Sequence, residues 1–409
     1  MKKYLAVALG ILTAIGGFVD IGDLVTNAVV GSRFGMSMGV VVAVGVLGIC
    51  VYAEMSGRVA CVSRRATFDL VRERLGPRLG LLNLVASMLV TFLTFIAEIG
   101  GVALSLELVS SVSYLLLVPF VALVVWLVLW RAKFSHMENV LGLLGLCLVA
   151  FSVALWQLGP DWGDYLGQAA RFDKPADEDW STWAYYAVAL FGAAMTPYEV
   201  FFFSSGGVEE KWTPEDLGVM RANVFIGFPL GGLLSLSIAG VATAVLLPQG
   251  IGVDALGQVA LPVAVALGKV GLAVVIIGFV AATFGAACET GLGVGYSIAQ
   301  YFGWQWGKFV TPRQASRFHA MLLVATLAAV AVLMSTVDPI LVTEASVVFS
   351  AVALPLTYFP ILVVANDPDY LGEYVNGRVT NALGLVYLVL LTVVALAALP
   401  LMVITGMGA

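Results

Sequence analysis

Long apolar runs follow one another along almost the whole chain, and polar residues are concentrated in the short stretches between them. A run of about 20 apolar residues is long enough to cross the hydrocarbon core of a bilayer as a helix. Such runs predict about eleven transmembrane helices, at residues 4–31, 36–56, 80–108, 112–131, 138–157, 183–206, 219–247, 257–300, 316–336, 338–364 and 380–403. Because the connections are mostly short, we predict one all-α membrane domain over residues 1–409.

The composition excludes a soluble globular protein, since 61% of the residues are apolar and only 11% are charged. The start, Met1-Lys2-Lys3 before an apolar stretch, resembles a signal peptide, but no Ala-x-Ala-like cleavage site follows it, so we interpret it as part of the first span. The four cysteines show no paired spacing and predict neither disulfides nor a zinc site. Both histidines, His136 and His319, fall near predicted cytoplasmic span ends, so an intramembrane metal would need oxygen ligands.

The basic residues predict the orientation, because Lys and Arg in short loops favour the cytoplasmic side. They lie at alternate ends of the spans, at Lys2, Lys3, Arg58, Arg64, Arg65, Arg72, Arg74, Arg78, Arg131, Lys133, Lys308, Arg313 and Arg317. We therefore predict a multi-pass protein of the plasma membrane, with a cytoplasmic N-terminus and an extracellular C-terminus. The acidic loop at 158–182 then lies outside, where it either gathers cations or is simply solvated.

Two carboxylates interrupt the first span, at Asp20 and Asp23. A charged side chain at bilayer depth costs several kcal/mol and marks a functional site by default. One buried carboxylate can be neutralised by a proton, but two of them three residues apart are harder to explain in that way. The pair is typical of a cation site.

The sixth span contains a second weak point, at Gly192 and Pro197. Proline removes a backbone donor and frees a carbonyl one turn earlier, near Ala193, although many such kinks are purely structural. Gly22 is a comparable weak point between the two aspartates. Broken helices at corresponding places in two halves are typical of transporters with inverted repeats, in which the two breaks meet at the midplane.

This pattern predicts a first repeat at 1–157, a second repeat at 183–364 and one extra span at 380–403. The ligands of a transported ion would then be the carboxylates of Asp20 and Asp23, the carbonyl of Ala193 and the hydroxyl of Thr196. Nothing in the sequence indicates an enzyme, a nucleic-acid ligand or an obligatory protein partner. The glycine-rich segment 291–295 lies in an apolar span and predicts close helix packing rather than a phosphate site.

The chain resembles the Nramp family of divalent metal transporters over nearly its whole length. Asp20-Ile21-Gly22-Asp23 stands where the family has Asp-Pro-Gly-Asn, and Thr196-Pro197-Tyr198 stands where it has Met-Pro-His. Further matching segments are Thr26-Asn27, Gly31-Ser32-Arg33-Phe34-Gly35, Ala97-Glu98 and Leu371-Gly372-Glu373-Tyr374-Val375-Asn376. The resemblance implies a leucine-transporter-like fold of five plus five spans and one extra span. It also implies that the metal is the substrate and that no cofactor is needed.

The departures from the family pattern concern the substrate and its coupling. Thr196 replaces a soft thioether and Asp23 replaces an asparagine, so the site suits Mg²⁺ or Mn²⁺. A shift of one residue would bring Met195 into this position, but Pro197 favours the stated alignment. Tyr198 and Phe95 replace a histidine and an aspartate of the family's proton path, which predicts a carrier that is not coupled to protons.

Three alternatives stay open. They are a proton-coupled Mn²⁺ or Fe²⁺ symporter, an organic-substrate symporter of the same fold and a metal sensor that moves no ion.

The spans contain further acidic residues, and the sequence does not decide the role of each of them. Glu54 is close enough to Arg58 for an i,i+4 pair, and Glu344 would either pair with a base or stay protonated. The candidate accessory or relay residues are Glu98, Tyr198, Glu199, Glu289 and Ser346.

Overall fold

The computed structural model describes residues 18–132, 134–172, 174–175, 178–308 and 310–408, with the backbone alone for residues 134–138. Within this part, ten helical segments are long and apolar enough to cross a membrane. They are Gly39–Ser63, Thr67–Ser110, Tyr114–Arg131, Asn139–Leu158, Trp180–Glu209, Pro214–Gln249, Leu256–Phe302, Ser316–Met334, Pro339–Val364 and Arg378–Ile404. The predicted first span begins outside the described residues, and its described part is the helix Ile21–Phe34.

The helices of the first half are α1 (Ile21–Phe34), α2 (Gly39–Ser63), α3 (Thr67–Ser110), α4 (Tyr114–Arg131), α5 (Phe134–Gly145) and α6 (Ala150–Leu158). A short outer helix, α7 (Trp162–Ala170), follows. The helices of the second half are α8 (Trp180–Ala194), α9 (Pro197–Glu209), α10 (Leu217–Ala222), α11 (Phe228–Val245), α12 (Leu256–Phe302), α13 (Ser316–Met334) and α14 (Pro339–Val364). The short helix α15 (Pro368–Leu371) and the last span α16 (Arg378–Ile404) complete the chain.

The third span of each half is longer than predicted and contains a glycine kink. α3 has Gly76 at φ 81°, and α12 has Gly268 at φ 66°. Glycine adopts positive φ without the steric cost that a side chain would add. Both kinks lie in the third span of their half, as an internal repeat would produce. The boundaries of the two repeats stay a prediction.

The outer segment 158–182 is not an irregular loop, because it contains α7. The Asp161 carboxylate accepts hydrogen bonds from the backbone N–H groups of Gly163 and Asp164 and so caps this helix. Tyr165 anchors α7 on the membrane domain by donating a 3.2 Å hydrogen bond to the Gly240 carbonyl. Burial raises the pKa of Tyr165 to about 12, so its hydroxyl stays protonated as a donor.

The predicted pair between Glu54 and Arg58 is confirmed, with 3.0 Å between Oε2 and Nη2. Arg221 joins it, with its Nε 3.0 Å from Glu54 Oε1. Arg58 also donates to the Tyr374 carbonyl and the Asn376 side chain. Glu54 and Arg58 are buried, whereas Arg221 is half-exposed. Because each charge has hydrogen-bonding partners, this cluster connects α2, α10 and the segment before α16 without an unpaired ion.

Two further expectations concern cysteine and glycine. Cys50, Cys61, Cys147 and Cys288 are all free thiols, as predicted. The packing role of the glycine-rich segment is also confirmed, because a Cβ at Gly291 would lie 2.8 Å from the Leu129 side chain.

α1 packs between α8, α11 and α14 at the centre of the domain. Its closest contact is Gly31, where a Cβ would lie 2.2 Å from the Ala239 carbonyl oxygen of α11. The Thr243 hydroxyl donates to the Gly31 carbonyl at 3.1 Å, which fixes the same contact. The position of α1, and with it that of Asp23, therefore depends on backbone-to-backbone packing.

Candidate functional site

The start of α1 is set by Asp20. Its backbone is extended, at φ −96° and ψ −177°, and its Oδ1 accepts a 2.9 Å hydrogen bond from the Asp23 N–H. Phe18 is helical and Val19 is not, so the first span is interrupted at Val19 and Asp20. The predicted weak point at Gly22 is therefore wrong by two residues, since Gly22 lies in the first turn of α1.

The break in the sixth span is confirmed. α8 ends at Ala194, Met195 and Thr196 have non-helical backbones, and α9 begins with Pro197 at its first position. Proline is well suited to that position because its missing N–H would have no helical partner there. Ala193 does not have a free carbonyl, because the Thr196 hydroxyl donates to it at 3.3 Å. The two predicted oxygen ligands of this break thus lie side by side, and both residues are buried.

A hydrogen bond joins the two breaks. The Tyr198 hydroxyl, in the first turn of α9, donates to Asp20 Oδ2 at 3.0 Å. Asp23 Oδ1 accepts from Asn27 Nδ2 at 3.2 Å and from the Ser235 hydroxyl at 3.5 Å. Asp20 is 4% and Asp23 is 2% exposed, so both carboxylates are enclosed by protein.

Glu98 of α3 contacts the start of α1. Its Oε1 accepts a 3.0 Å hydrogen bond from the Ile21 N–H, one of the backbone donors that a helix start leaves unpaired. Its Oε2 is buried and has no hydrogen-bond partner among the described residues. The predicted accessory residue thus holds the half-helix that carries Asp23 in place.

Two more predicted accessory residues, Glu199 and Glu289, add carboxyl groups around the same centre. Glu199 lies in the first turn of α9, and its Oε2 is buried without a described partner. Asp20 interacts electrostatically with both Glu199 and Glu289, and Glu289 also interacts with Glu199. In the described part of the chain, no Lys, Arg or His side chain forms an ion pair with any of these carboxylates. Buried carboxyl groups without a basic partner are stabilised either by a proton or by a bound cation.

Ser346 makes no hydrogen bond to the site carboxylates within the described part of the chain. It is 2% exposed and donates a 2.8 Å hydrogen bond to the Thr343 carbonyl of its own helix, α14. Over the described ranges, no three side chains of His, Cys, Asp or Glu form a group that could hold a metal ion. A site built here would therefore need the hydroxyl and carbonyl oxygens of Thr196 and Ala193 beside the two aspartates.

Comparison with known proteins identifies the family. The family model described as natural resistance-associated macrophage protein-like, or Nramp, matches residues 10–400. This chain belongs to the Nramp family. As predicted, it thus falls among transporters and not among enzymes.

Similar Nramp relatives include the divalent metal cation transporter MntH 1 of Pseudomonas aeruginosa, 27% identical over 93% of this chain and 88% of that protein. The divalent metal cation transporter MntH of Deinococcus radiodurans is 25% identical over 91% of this chain and 85% of that protein.

Solved structures show the fold. The Eremococcus coleocola manganese transporter has a TM-score of 0.69 at 19% identity, covering 96% of this chain and 85% of that chain. Mhp1, a nucleobase-cation-symport-1 family transporter, has a TM-score of 0.61 at 14% identity, covering 96% of this chain and 92% of that chain. The predicted all-α membrane fold of the leucine-transporter type is confirmed.

Proposed function

We propose that this Nramp protein carries divalent metal cations through the membrane into the cytoplasm. The ligands are the carboxylates of Asp20 and Asp23, the Ala193 carbonyl and the Thr196 hydroxyl. The observation that carries the proposal is the Tyr198–Asp20 hydrogen bond, because it brings the two helix breaks together in a buried, electronegative centre. The relatives named as divalent metal cation transporters support the same class of substrate.

The donor set favours a hard ion, Mg²⁺ or Mn²⁺. Oxygen ligands suit these ions, whereas a thioether would favour softer transition metals. The Met195 sulfur packs beside Gly48 of α2, where a glycine Cβ would lie 2.7 Å from it. The Met195 carbonyl accepts from the Tyr358 hydroxyl at 3.2 Å. This packing supports Thr196, rather than Met195, as the ligand.

We further propose that the membrane potential drives the flux without a coupled proton. Phe95 is fully buried and apolar, and Tyr198 acts as a donor to Asp20. Neither residue takes up a proton near neutral pH, since the ordinary pKa of tyrosine is about 10. An inside-negative potential favours divalent influx by about 4.6 kcal/mol per 100 mV, twice the value for a single charge.

A second candidate is a proton-coupled symporter. The unpartnered Oε2 atoms of Glu98 and Glu199 favour it, because each could carry a proton beside the site. In both candidates the ion crosses by alternating access, with rearrangement of the half-helices α1 and α9. The related fold of Mhp1 has been solved in a closed and in an inward-facing conformation, which supports such a movement here.

The test is ion influx into proteoliposomes at a set membrane potential, with a pH-sensitive dye inside. We expect saturable influx of both Mg²⁺ and Mn²⁺ that grows with an inside-negative potential and leaves the internal pH unchanged. Influx of Mn²⁺ alone, accompanied by acidification, would establish the proton-coupled symporter instead. Binding of either ion without any flux would contradict transport and indicate a sensor, and flux of an amine or amino acid without metal flux would indicate an organic-substrate symporter.

Thr196→Met is expected to raise the preference for Cd²⁺ over Mg²⁺ by about tenfold or more, because a thioether replaces a hard oxygen ligand. The measurement is competition of Cd²⁺ and Mg²⁺ in the same influx assay. Thr196→Ser retains the hydroxyl and serves as the matched control, for which we expect the wild-type ratio. An unchanged ratio in Thr196→Met would show that Thr196 is not a ligand.

A further inference from the structure

A small cavity lies between α1, α8 and α14, outside the centre described above. Its polar lining consists of Thr26, Tyr185, Tyr186 and Glu344, and the other lining residues are apolar. Its volume of about 10 Å³ gives room for about one water-sized particle. Glu344 is partly exposed, so one side of the cavity reaches towards the surface.

The cavity lies one helical turn beyond the candidate metal ligands. Thr26 follows Asp23 by three residues on α1, and Glu344 precedes Val347 by three residues on α14. Val347 separates the two places, since its Cγ1 lies 2.9 Å from where a Cβ of Gly22 would be. A cation that moves inward from the cavity would therefore pass Val347 and reach Asp23 next.

Of the oxygen atoms around this cavity, the Tyr186 hydroxyl donates to the Gly408 carbonyl at 3.4 Å, whereas the others form no hydrogen bond within the described part of the protein. Thr26 is 5% and Tyr185 is 2% exposed, and neither hydroxyl has a hydrogen-bond partner among the described residues. Glu344 forms no ion pair with a described Lys, Arg or His side chain, which excludes the first of its two predicted roles within the described residues. Because Thr26 and Tyr185 line the cavity, their hydroxyl groups are available as oxygen ligands for an ion or a water in it.

The surrounding charges favour a cation at the same place. Asp254 and Asp338 add negative potential at Glu344. Arg33 lies over the Tyr186 ring, 5.4 Å from its centroid, but its charge is paired with Glu178. Asp254, Asp338 and Glu344 are therefore acidic groups near the cavity that form no ion pair with the described residues.

We propose that this cavity is an outer binding site for a divalent cation, held by Glu344 and by the hydroxyls of Thr26 and Tyr185. The inference rests on the proposed function, since it places this site on the route to Asp23. One carboxylate and two hydroxyls are too few to replace a full hydration shell, so waters on the open side complete the coordination. The site is thus weak, and its effect is to raise the local concentration of the ion.

Transport kinetics give the first test. Glu344→Gln is expected to raise the KM for Mg²⁺ influx by about fivefold to tenfold, because local electrostatic enrichment is lost. The kcat should stay within about twofold, because the ligands at Asp20 and Asp23 are unchanged. Glu107→Gln is the matched control and should leave KM unchanged. Glu107 lies near the C-terminal end of α3 and does not line the cavity. An unchanged KM in Glu344→Gln would overturn the proposal.

Terbium luminescence gives a second test that does not depend on transport. Tb³⁺ is a hard, oxygen-seeking ion whose emission is sensitised by a nearby tyrosine. In an Asp20→Asn/Asp23→Asn background we expect tyrosine-sensitised emission that Glu344→Gln removes and Tyr185→Phe reduces. Emission that ignores Glu344→Gln would contradict the outer site even if the wild type moves Mg²⁺. Conversely, Glu344-dependent emission with no divalent flux in the wild type would retain the outer site and reject the proposed transport.

Discussion

Asp20→Ala and Asp23→Ala are each expected to abolish saturable divalent influx, with kcat/KM lower by about 100-fold or more, equivalent to about 2.8 kcal/mol. Each substitution removes a charged oxygen ligand from a centre where both carboxylates are almost fully buried. No water can replace such a ligand without a cost in an enclosed, low-dielectric place. The measurement is Mg²⁺ and Mn²⁺ influx into proteoliposomes with matched protein content.

Asp20 also caps α1, so a second variant is needed to separate charge from structure. Asp20→Asn keeps an oxygen that can accept the Asp23 N–H but removes the charge, and we expect it to remain folded and inactive. Asp161→Asn changes an aspartate with the same capping role on α7, outside the membrane, and should retain influx. Wild-type influx in both alanine variants would show that the metal crosses elsewhere.

Gly31→Ala is expected to lower the melting temperature by about 3 °C or more, or to prevent folding, and to abolish influx. The new Cβ would lie 2.2 Å from the Ala239 carbonyl oxygen, and this neighbour is backbone that cannot turn away. Overpacking of this kind costs about 3 kcal/mol or more. Any relaxation would have to move α1 away from α11, and Asp23 would move with it.

Thermal unfolding in detergent, followed by size-exclusion chromatography with fluorescence detection, measures this effect. Gly167→Ala is the matched control, because a Cβ at that helical position meets nothing within 4 Å. Alanine favours a helix over glycine by about 1 kcal/mol, so this control should be as stable as the wild type or slightly more so. A wild-type melting temperature for Gly31→Ala would refute the tight contact between α1 and α11.

The sequence predicted the spans well because bilayer thickness imposes a length on every apolar run. It also located the break in the sixth span, since Pro197 both removes a donor and suits a helix start. The break in the first span was misplaced at Gly22, because the capping carboxylate of Asp20, and not the glycine, decides where α1 begins. The kinks at Gly76 and Gly268 were missed, since a glycine inside an apolar run does not reveal its φ angle.

In the candidate site, contacts within one helix can be predicted from the sequence, whereas contacts between distant segments cannot. Asn27 could have been found, because a residue four positions after Asp23 lies on the same helix face. Ser235 could not, since it approaches Asp23 from a helix 212 positions away along the chain. The contact between Glu98 and the Ile21 N–H also needs the fold, because 77 positions separate the two residues.

The Tyr198–Asp20 hydrogen bond bears on how fast a carrier can return to its starting conformation without an ion. After each delivery, an uncoupled carrier must reset without cargo, and two facing half-helices with bare carboxylates would resist that return step. The Tyr198 hydroxyl donates to Asp20 Oδ2 at 3.0 Å, so in the proposed cycle it would partly offset the charge on this carboxylate and hold α1 and α9 together during the return step. If the protein works as proposed, an arriving ion would displace this donor. The strength of the Tyr198–Asp20 hydrogen bond would then affect both the rate of the return step and the affinity for the ion.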